Sequence, residues 1–336
     1  MTSLRLSDLA RELGVAVHGT DAPITGLAID SRSVTTGDLS GAIRGDRADG
    51  NDFIDKALAH GAAAVVTSQA LSDAIPHLTV TDSGAACAAF GRLARESFAG
   101  VVAGITGSAG KTTAKAFLAA ICACTDRTVA TDGNQNNELG VPLTLAKLMS
   151  APQFGVVEMG AAQRGDIAHL KSMALPQVVV LLNALEAHVG RFGSLDNIVA
   201  TKGEILDGLS PSSVAVLNAD QSNFALWSAR AQPARIISFG WTTAADVRVV
   251  GERSNGFAGS QVELDLNGSN VSVRLSVPGK AGVTNALAAA AAAIGLGIGV
   301  DKIVEGLESV KPVAGRGNTV NLSDGVTLID DSYNAS

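Results

Sequence analysis

Val101-Val102-Ala103-Gly104-Ile105-Thr106-Gly107-Ser108-Ala109-Gly110-Lys111-Thr112-Thr113 is the stretch that decides the fold of this chain. It opens as an apolar, β-branched run, the pattern of a buried strand. It breaks into a Gly-rich turn, and Ala114 to Ala123 continues as a helix. A strand, a Gly-rich loop and a helix start make a phosphate cradle. Backbone N–H groups and the helix N-terminus face the anion, Lys111 reaches the outer phosphates, and the Thr112 hydroxyl suits Mg²⁺. The common P-loop pattern places a glycine five residues before Gly110, where Ile105 stands; the turn glycine is Gly107. Gly-rich βα turns occur in many α/β folds, but few need both Lys111 and Thr112.

The bulk composition sets bounds. The chain has 336 residues, room for two or three domains, and 46% are hydrophobic. Net charge is −7, which argues against nonspecific nucleic-acid or membrane binding. Cys87, Cys122 and Cys124 form neither a disulfide framework nor a C-x-x-C site, and read as core residues of a reduced, cytoplasmic protein. The N-terminal residues carry no apolar signal-peptide core. The longest apolar run, Ala286 to Val300, is Ala- and Gly-rich and too short to insert in a membrane.

Outward from the loop, short apolar runs alternate with helical stretches: 156–159, 177–183, 214–218 and 235–239. That rhythm predicts an α/β fold with a mostly parallel sheet and helices on both faces. Residues 246–277 alternate with period two and predict a small antiparallel appendage. Residues 1–98 read as a separate small α/β domain, 99–314 as the central domain, and 315–336 as a linker with one further strand at 326–331. A lone terminal strand cannot bury its own faces, so the expectation is that a third domain has been cut off.

Polar residues at strand ends are the candidates for chemistry, because ligands of open α/β sheets sit beyond the carboxyl ends of strands. Glu158 closes one strand and fits the second Mg²⁺ ligand of an ATP site; a strand-end surface carboxylate is the plainer alternative. His188 alone is more often structural than a ligand. Lys202 alone is unremarkable. Asn134, Asn136 and Asn137 read either as an ordinary loop before Pro142 or as neutral contacts for a sugar or phosphate.

Taken in order, Gly104–Thr113, Gly133–Pro142, Glu158-Met159-Gly160, Ala187-His188, Phe192-Gly193-Ser194, Lys202–Ile205, Asn285–Ala289, Gly315-Arg316 and Asp330–Ala335 resemble the Mur ligases of peptidoglycan synthesis. The Asn-rich and Asp-Asp-Ser-Tyr-Asn-Ala segments resemble the branch that adds D-Ala-D-Ala. Asp30-Ser31-Arg32, Gly37-Asp38-Leu39 and Asp49-Gly50 resemble the family's UDP-binding N-terminal domain. The resemblance implies an ATP-dependent amide ligase acting through an acyl phosphate on UDP-N-acetylmuramoyl (UDP-MurNAc) tripeptide and D-Ala-D-Ala, as a cytoplasmic monomer. It implies that Thr106, Gly107, Ser108, Ala109, Gly110, Lys111, Thr112 and Thr113 cradle ATP, with Asn285 at adenine, Arg316 at phosphate and Asp331 at ribose. Lys111, Lys202 and His188 are the implied catalytic set. Thr112, Glu158, His188 and Lys202 are the implied ligands of two Mg²⁺ sites, with Lys202 carbamylated and therefore partly buried. Ser31, Arg32, Asn136 and Asn137 are the implied substrate contacts. The chain departs from the family at Ser40-Gly41-Ala42, at Asn51, where the family has His, and at Ala281-Gly282. In the family a C-terminal domain closes over ATP; with only its first strand here, weak or absent ligation by these 336 residues is expected.

Two readings stand beside this one: a sister ligase adding another amino acid, or a noncatalytic module that kept precursor binding. A generic P-loop kinase or GTPase is a third, and Ile105 counts against it.

Overall fold

The computed structural model describes residues 3–186, 192–313, 315, 318–321, 326–330 and 332. The chain forms two compact units. The first holds 1–100, 131–155 and 172–175; the second holds 101–130, 156–171 and 176–336.

The first unit begins with β1 (Leu4–Arg5), α1 (Leu6–Leu13) and β2 (Pro23–Ile24), β1 and β2 pairing antiparallel. Asp8 accepts from the Arg5 N–H at 2.8 Å and so fixes the start of α1. A parallel four-stranded sheet follows in the order β3 (Gly26–Ala28), β4 (Asp38–Gly41), β5 (Ala64–Thr67), β6 (His77–Thr79), with α2 (Ile54–Ala59) between β4 and β5. α3 (Ser83–Glu96) is capped by the Asp82 side chain, which accepts from the Ala85 N–H. Leu6, Leu9, Ile24, Leu39, Leu78 and Phe90 form its core.

The second unit opens with β7 (Val101–Thr106), α4 (Lys111–Ala123) and β8 (Thr128–Ala130). The sequence reading assigned 131–155 to the central domain. In the structure the segment packs with the first hundred residues, because α5 (Gly140–Ala146) lies close against α3. A Cβ at Gly91 would come within 2.7 Å of Pro142 Cα, so the glycine permits that approach. The buried Arg95 side chain donates to the Ala174 and Leu175 carbonyls and brings 172–175 into the same unit.

The remaining elements are β9 (Phe154–Glu158), α6 (Asp166–Ala174), β10 (Val178–Leu181), α7 (Leu195–Lys202), β11 (Val214–Asn218), α8 (Phe224–Arg230), β12 (Arg235–Gly240), β13 (Val247–Ser254), β14 (Ser260–Leu266), β15 (Asn270–Leu275), α9 (Gly279–Gly295) and α10 (Val300–Ser309). Nine strands form one sheet in the order β15-β14-β13-β12-β11-β10-β7-β9-β8. From β7 through β10, β11, β12 and β13 the neighbours are parallel, and β13, β14 and β15 are antiparallel. The expected antiparallel appendage is therefore the edge of the main sheet. Val247 pairs with Phe239, so the alternating run continues the parallel layer and does not leave it. α9 lies against β10 to β14 and against α4; its Ala-rich face, fully buried from Ala286 to Ala293, lets it approach closely.

The terminal strand at 326–331 is not alone. β16 (Asn318–Asn321) pairs antiparallel with β17 (Thr327–Asp330) in a hairpin, although Val326, Leu328 and Ile329 remain exposed.

Candidate nucleotide and precursor sites

Position in the sheet brings the P-loop together. β7 is flanked by β9 and β10, so the carboxyl ends of three strands meet at one place. The Thr106 side chain is fully buried and donates to the Met159 carbonyl at 2.9 Å. It thus faces the sheet, and only its backbone is available to a nucleotide. Ser108 and Leu185 exchange hydrogen bonds through the serine hydroxyl, and the Ser108 N–H donates to the Asn183 carbonyl at 3.1 Å. Asn183 also holds Ala109 at both backbone groups, at 3.0 and 3.1 Å. Gly110 has φ +84° at the head of α4, a left-handed conformation that disfavours side chains. A Cβ there would run into the Asn285 side-chain amide, so Asn285, on α9, rests on the cradle. Lys111 Nζ curls back onto the loop and donates to the Gly107 carbonyl at 2.9 Å.

One residue into α4, the Thr112 hydroxyl donates to Glu158 Oε1 at 3.3 Å. Glu158 ends β9 and is 1% exposed. Its other oxygen lies 3.4 Å from Lys115 Nζ, which is also buried. A hydroxyl and a carboxylate oxygen side by side at a phosphate cradle are hard oxygen donors, and they fit Mg²⁺. No three His, Cys, Asp or Glu side chains converge as a metal cage among the described residues. Among the described residues, Thr112 and Glu158 are donors of the kind Mg²⁺ completes with water and phosphate.

Lys202 ends α7 and is 3% exposed. Its Nζ lies 5.5 Å from the centre of the Phe192 ring. Burial, and after it the Lys111 charge, pull the ammonium down to about 8, against the opposing pull of Asp166 and Glu204. Glu204, in the 3₁₀ turn that follows, accepts from the Gly165 and Ala168 N–H groups at 2.8 and 3.1 Å. It thereby caps the start of α6, where Asp166 sits. Arg230 secures the same turn, forking onto Asp207 at 2.6 and 2.7 Å and donating to the Ala200 carbonyl.

The first unit holds a cavity of about 820 Å³ at the carboxyl ends of β3 and β4, lined among others by Ser31, Arg32, Ser40, Arg47, Phe53 and Lys56. Arg32 forks onto Asp30, with Nε at 3.0 Å and Nη2 at 2.6 Å. These bonds hold the Asp30 carboxyl down at about 2. Asn51, the departure from the family's His, is buried and does not line the cavity. It accepts from the Thr67 hydroxyl and donates to Asp49 and Ser68, so its polar atoms serve the fold.

Lys111, Thr112, Glu158, Lys202 and Asn285 thus all belong to the second unit, and Ser31 and Arg32 share one cavity of the first. Asn136 and Asn137 belong to the first unit, where Asn137 accepts from the Gly140 N–H and shapes the start of α5. His188, Arg316 and Asp331 lie outside the described residues. Sequence reasoning left Asn183 and Lys115 without a role. The signal for Asn183 was its place at a strand end; Lys115 stands one helical turn after Lys111.

Comparison with known proteins gives two family matches. Residues 105–293 match the Mur ligase middle domain, and residues 23–89 match the Mur ligase family catalytic domain. The chain is 35% identical to the UDP-N-acetylmuramoyl-tripeptide–D-alanyl-D-alanine ligase of Escherichia coli K12 over 345 residues, covering 100% of this chain and 74% of that protein. A crystal structure of MurF from Acinetobacter baumannii superposes with a TM-score of 0.91 at 31% identity, over 100% of this chain and 74% of that one. MurF from Thermotoga maritima, solved in complex with ADP, gives 0.80 at 33% identity, over 93% and 71%. No helix among the described residues is long and apolar enough to cross a membrane.

Proposed function

The chain belongs to the Mur ligase family, and from that premise we propose that it joins D-Ala-D-Ala to UDP-MurNAc-tripeptide at the expense of ATP. The observation that carries the reading is the P-loop lysine Lys111 with Thr112 set against the buried carboxylate Glu158, in a chain that matches ligases of this specificity along its whole length.

A carboxylate is a poor acylating agent, and activation removes that obstacle. A carboxylate oxygen of the tripeptide attacks the γ-phosphorus, ADP leaves, and an acyl phosphate forms. The dipeptide amine then attacks the acyl carbon. Inorganic phosphate leaves with the bonding pair, and the amine gives up a proton. The site must therefore hold three anionic groups together and keep water out. Lys111 and the loop N–H groups carry the phosphate charge. Thr112 and Glu158 would hold a Mg²⁺, which supplies charge neutralisation at the phosphates.

Lys202 has a separate part. As an ammonium it would repel Lys111; as a free amine it is a nucleophile for CO₂. We propose that it is carbamylated: the amine nitrogen bonds to the CO₂ carbon, a proton leaves, and the side chain becomes an anion. Burial and a lowered pKa favour the neutral amine this needs. The new charge would face Lys111 with attraction in place of repulsion. The cavity beside Arg32 is the proposed seat of the UDP moiety, its cations matching a diphosphate. With ATP and a UDP-linked precursor as substrates, the working compartment is the cytoplasm.

Calorimetry with the 336-residue chain tests the core of the reading. ADP with Mg²⁺ and UDP-MurNAc-tripeptide should each bind at one site, and K111A should lose ADP while retaining the precursor. Binding of neither ligand to the wild-type chain would sink the proposal.

A further inference from the structure

Beyond the P-loop, the carboxyl ends of the neighbouring strands are tied into a chain of hydrogen bonds. Asn218, ending β11, donates to the Leu182 carbonyl at 3.0 Å and accepts from the Asp220 N–H at 3.0 Å. Both Asp220 oxygens accept from the Trp241 N–H, at 3.1 and 2.9 Å, and one accepts from the Thr242 N–H at 3.0 Å. The Trp241 indole N–H donates to the Thr284 hydroxyl of α9 at 3.0 Å. The next residue, Asn285, rests on Gly110 of the P-loop.

Trp241 is thus a large, half-buried aromatic held at the backbone by Asp220 and at the ring by Thr284. Its ring needs no such anchoring for the core, since it does not enter the core. Lys280, exposed on the first turn of α9, places its ammonium 4.9 Å from the ring centre. Strand order sets the span. β12, which delivers Trp241, stands three strands from β7, roughly 14 Å at the usual inter-strand spacing. That is the reach of an extended nucleoside triphosphate. The other side of β7 is taken by β9, with Glu158 and Lys115. A nucleotide whose phosphates occupy the loop therefore finds its aromatic support along β10, β11 and β12.

We propose that Trp241 is the wall against which the base of the bound nucleotide stacks, in a position fixed by Asp220 and Thr284. The proposal rests on the P-loop holding the phosphates of ATP. The indole offers a rigid π-face at low entropic cost, and the exposed Lys280 can yield that face to a purine. Stacking of this kind tolerates a phenylalanine and fails with an alanine.

The chain carries its own reporter. It has two tryptophans, Trp227 and Trp241, and Trp227 is 1% exposed in the core. ADP titrated into the wild-type chain should change the intrinsic tryptophan fluorescence, and W241F should lose that change while its calorimetric Kd stays within about threefold. W241A should weaken ADP roughly tenfold yet bind inorganic tripolyphosphate as the wild type does, which separates a lost base contact from a damaged loop. Wild-type ADP affinity in W241A, with K111A still losing ADP, would overturn this proposal alone. A wild-type chain that binds no ADP would overturn it together with the reading it rests on.

Discussion

Asn183 and Ala109 are joined by a two-point hydrogen bond: the Asn183 Oδ1 accepts from the Ala109 N–H at 3.0 Å, and its Nδ2 donates to the Ala109 carbonyl at 3.1 Å. A side-chain amide here does what a neighbouring strand would do, and it does so in the middle of the phosphate loop. With Ser108 bound to Leu185 and Asn285 seated on Gly110, the cradle is shaped before any anion arrives. Preorganisation of this kind saves the cost of ordering the loop on binding.

Asn183→Ala should therefore act on nucleotide binding more than on the fold. The two bonds are half-exposed, so stability should fall by only about 1–2 kcal/mol. ADP affinity should fall roughly tenfold, for the loop must then be ordered at the ligand's expense. Calorimetry against a urea melt separates the two effects. A variant with unchanged ADP affinity would show that the grip on Ala109 is ornamental.

The Glu158–Lys115 pair makes a second prediction. Both side chains are buried, 3.4 Å apart, with Thr112 on the other oxygen. Removing one partner of such a pair commonly costs about 3–5 kcal/mol. Lys115→Met should thus lower the melting temperature in the absence of ligand. Mg²⁺ with ADP should restore a larger share of stability to this variant than to the wild type, since a divalent cation replaces the missing charge. Glu158→Gln should abolish the Mg²⁺ dependence of ADP binding. Equal Mg²⁺ responses in wild type and Glu158→Gln would remove Glu158 from the metal site.

The parts legible in the sequence are those written locally. The P-loop is a contiguous motif, Glu158 closes an apolar strand run, and Lys202, unremarkable by itself, is singled out by the ordered family motifs. Asn183 is marked by its place at a strand end but its role is not, and Lys115 is not marked at all. Their partners, the Ala109 backbone and the Glu158 carboxylate, are neighbours only because β10 and β9 flank β7, and strand order is not written in any one strand. The same limit applies to α5. Its apolar face demanded a partner, but only the close approach at Gly91 decided that the partner was α3. For 246–277, alternation identified antiparallel strands; their attachment to β12 depends on the pairing of Phe239 with Val247, which alternation does not encode.

Lys202 gives a pH prediction whose sign follows from burial. Its folded pKa, about 8, lies below the 10.5 of an ordinary solvated lysine, so between these values the unfolded chain binds the extra proton. The penalty is fully present below about pH 8 and disappears as pH rises toward 10.5. Relative to Lys202→Met, the wild type should thus gain stability across that window. In CO₂-free buffer, where Lys202 stays an unmodified amine, the methionine variant should be more stable at pH 7 by on the order of 2–3 kcal/mol. Urea melts at pH 7 and pH 10 measure the difference. Wild type and variant running parallel would mean that Lys202 is not desolvated.

Arg32 and Asp30 supply the last prediction, for the cavity of the first unit. Arg32 is largely exposed, and so adds little to the fold despite its fork onto Asp30. What the pair offers is orientation: a guanidinium held at the cavity wall with donors left for a second anion. Because Asp30 is held at about 2, its carboxylate stays charged through the ordinary carboxylate range, and the pairing is lost only as pH falls toward 2, where Asp30 takes up a proton and Arg32 stays cationic. Binding that depends on this orientation should therefore be flat from pH 5 to 8 on Asp30's account. Asp30→Ala frees the guanidinium, and Arg32→Lys removes the fork. Each should weaken UDP-MurNAc-tripeptide roughly tenfold with the melting temperature nearly unchanged, and leave ADP affinity as it was. If Asp30→Ala binds the precursor as tightly as the wild type, the fork does not orient Arg32 for the diphosphate, and the cavity's hold on UDP must come from its other cations.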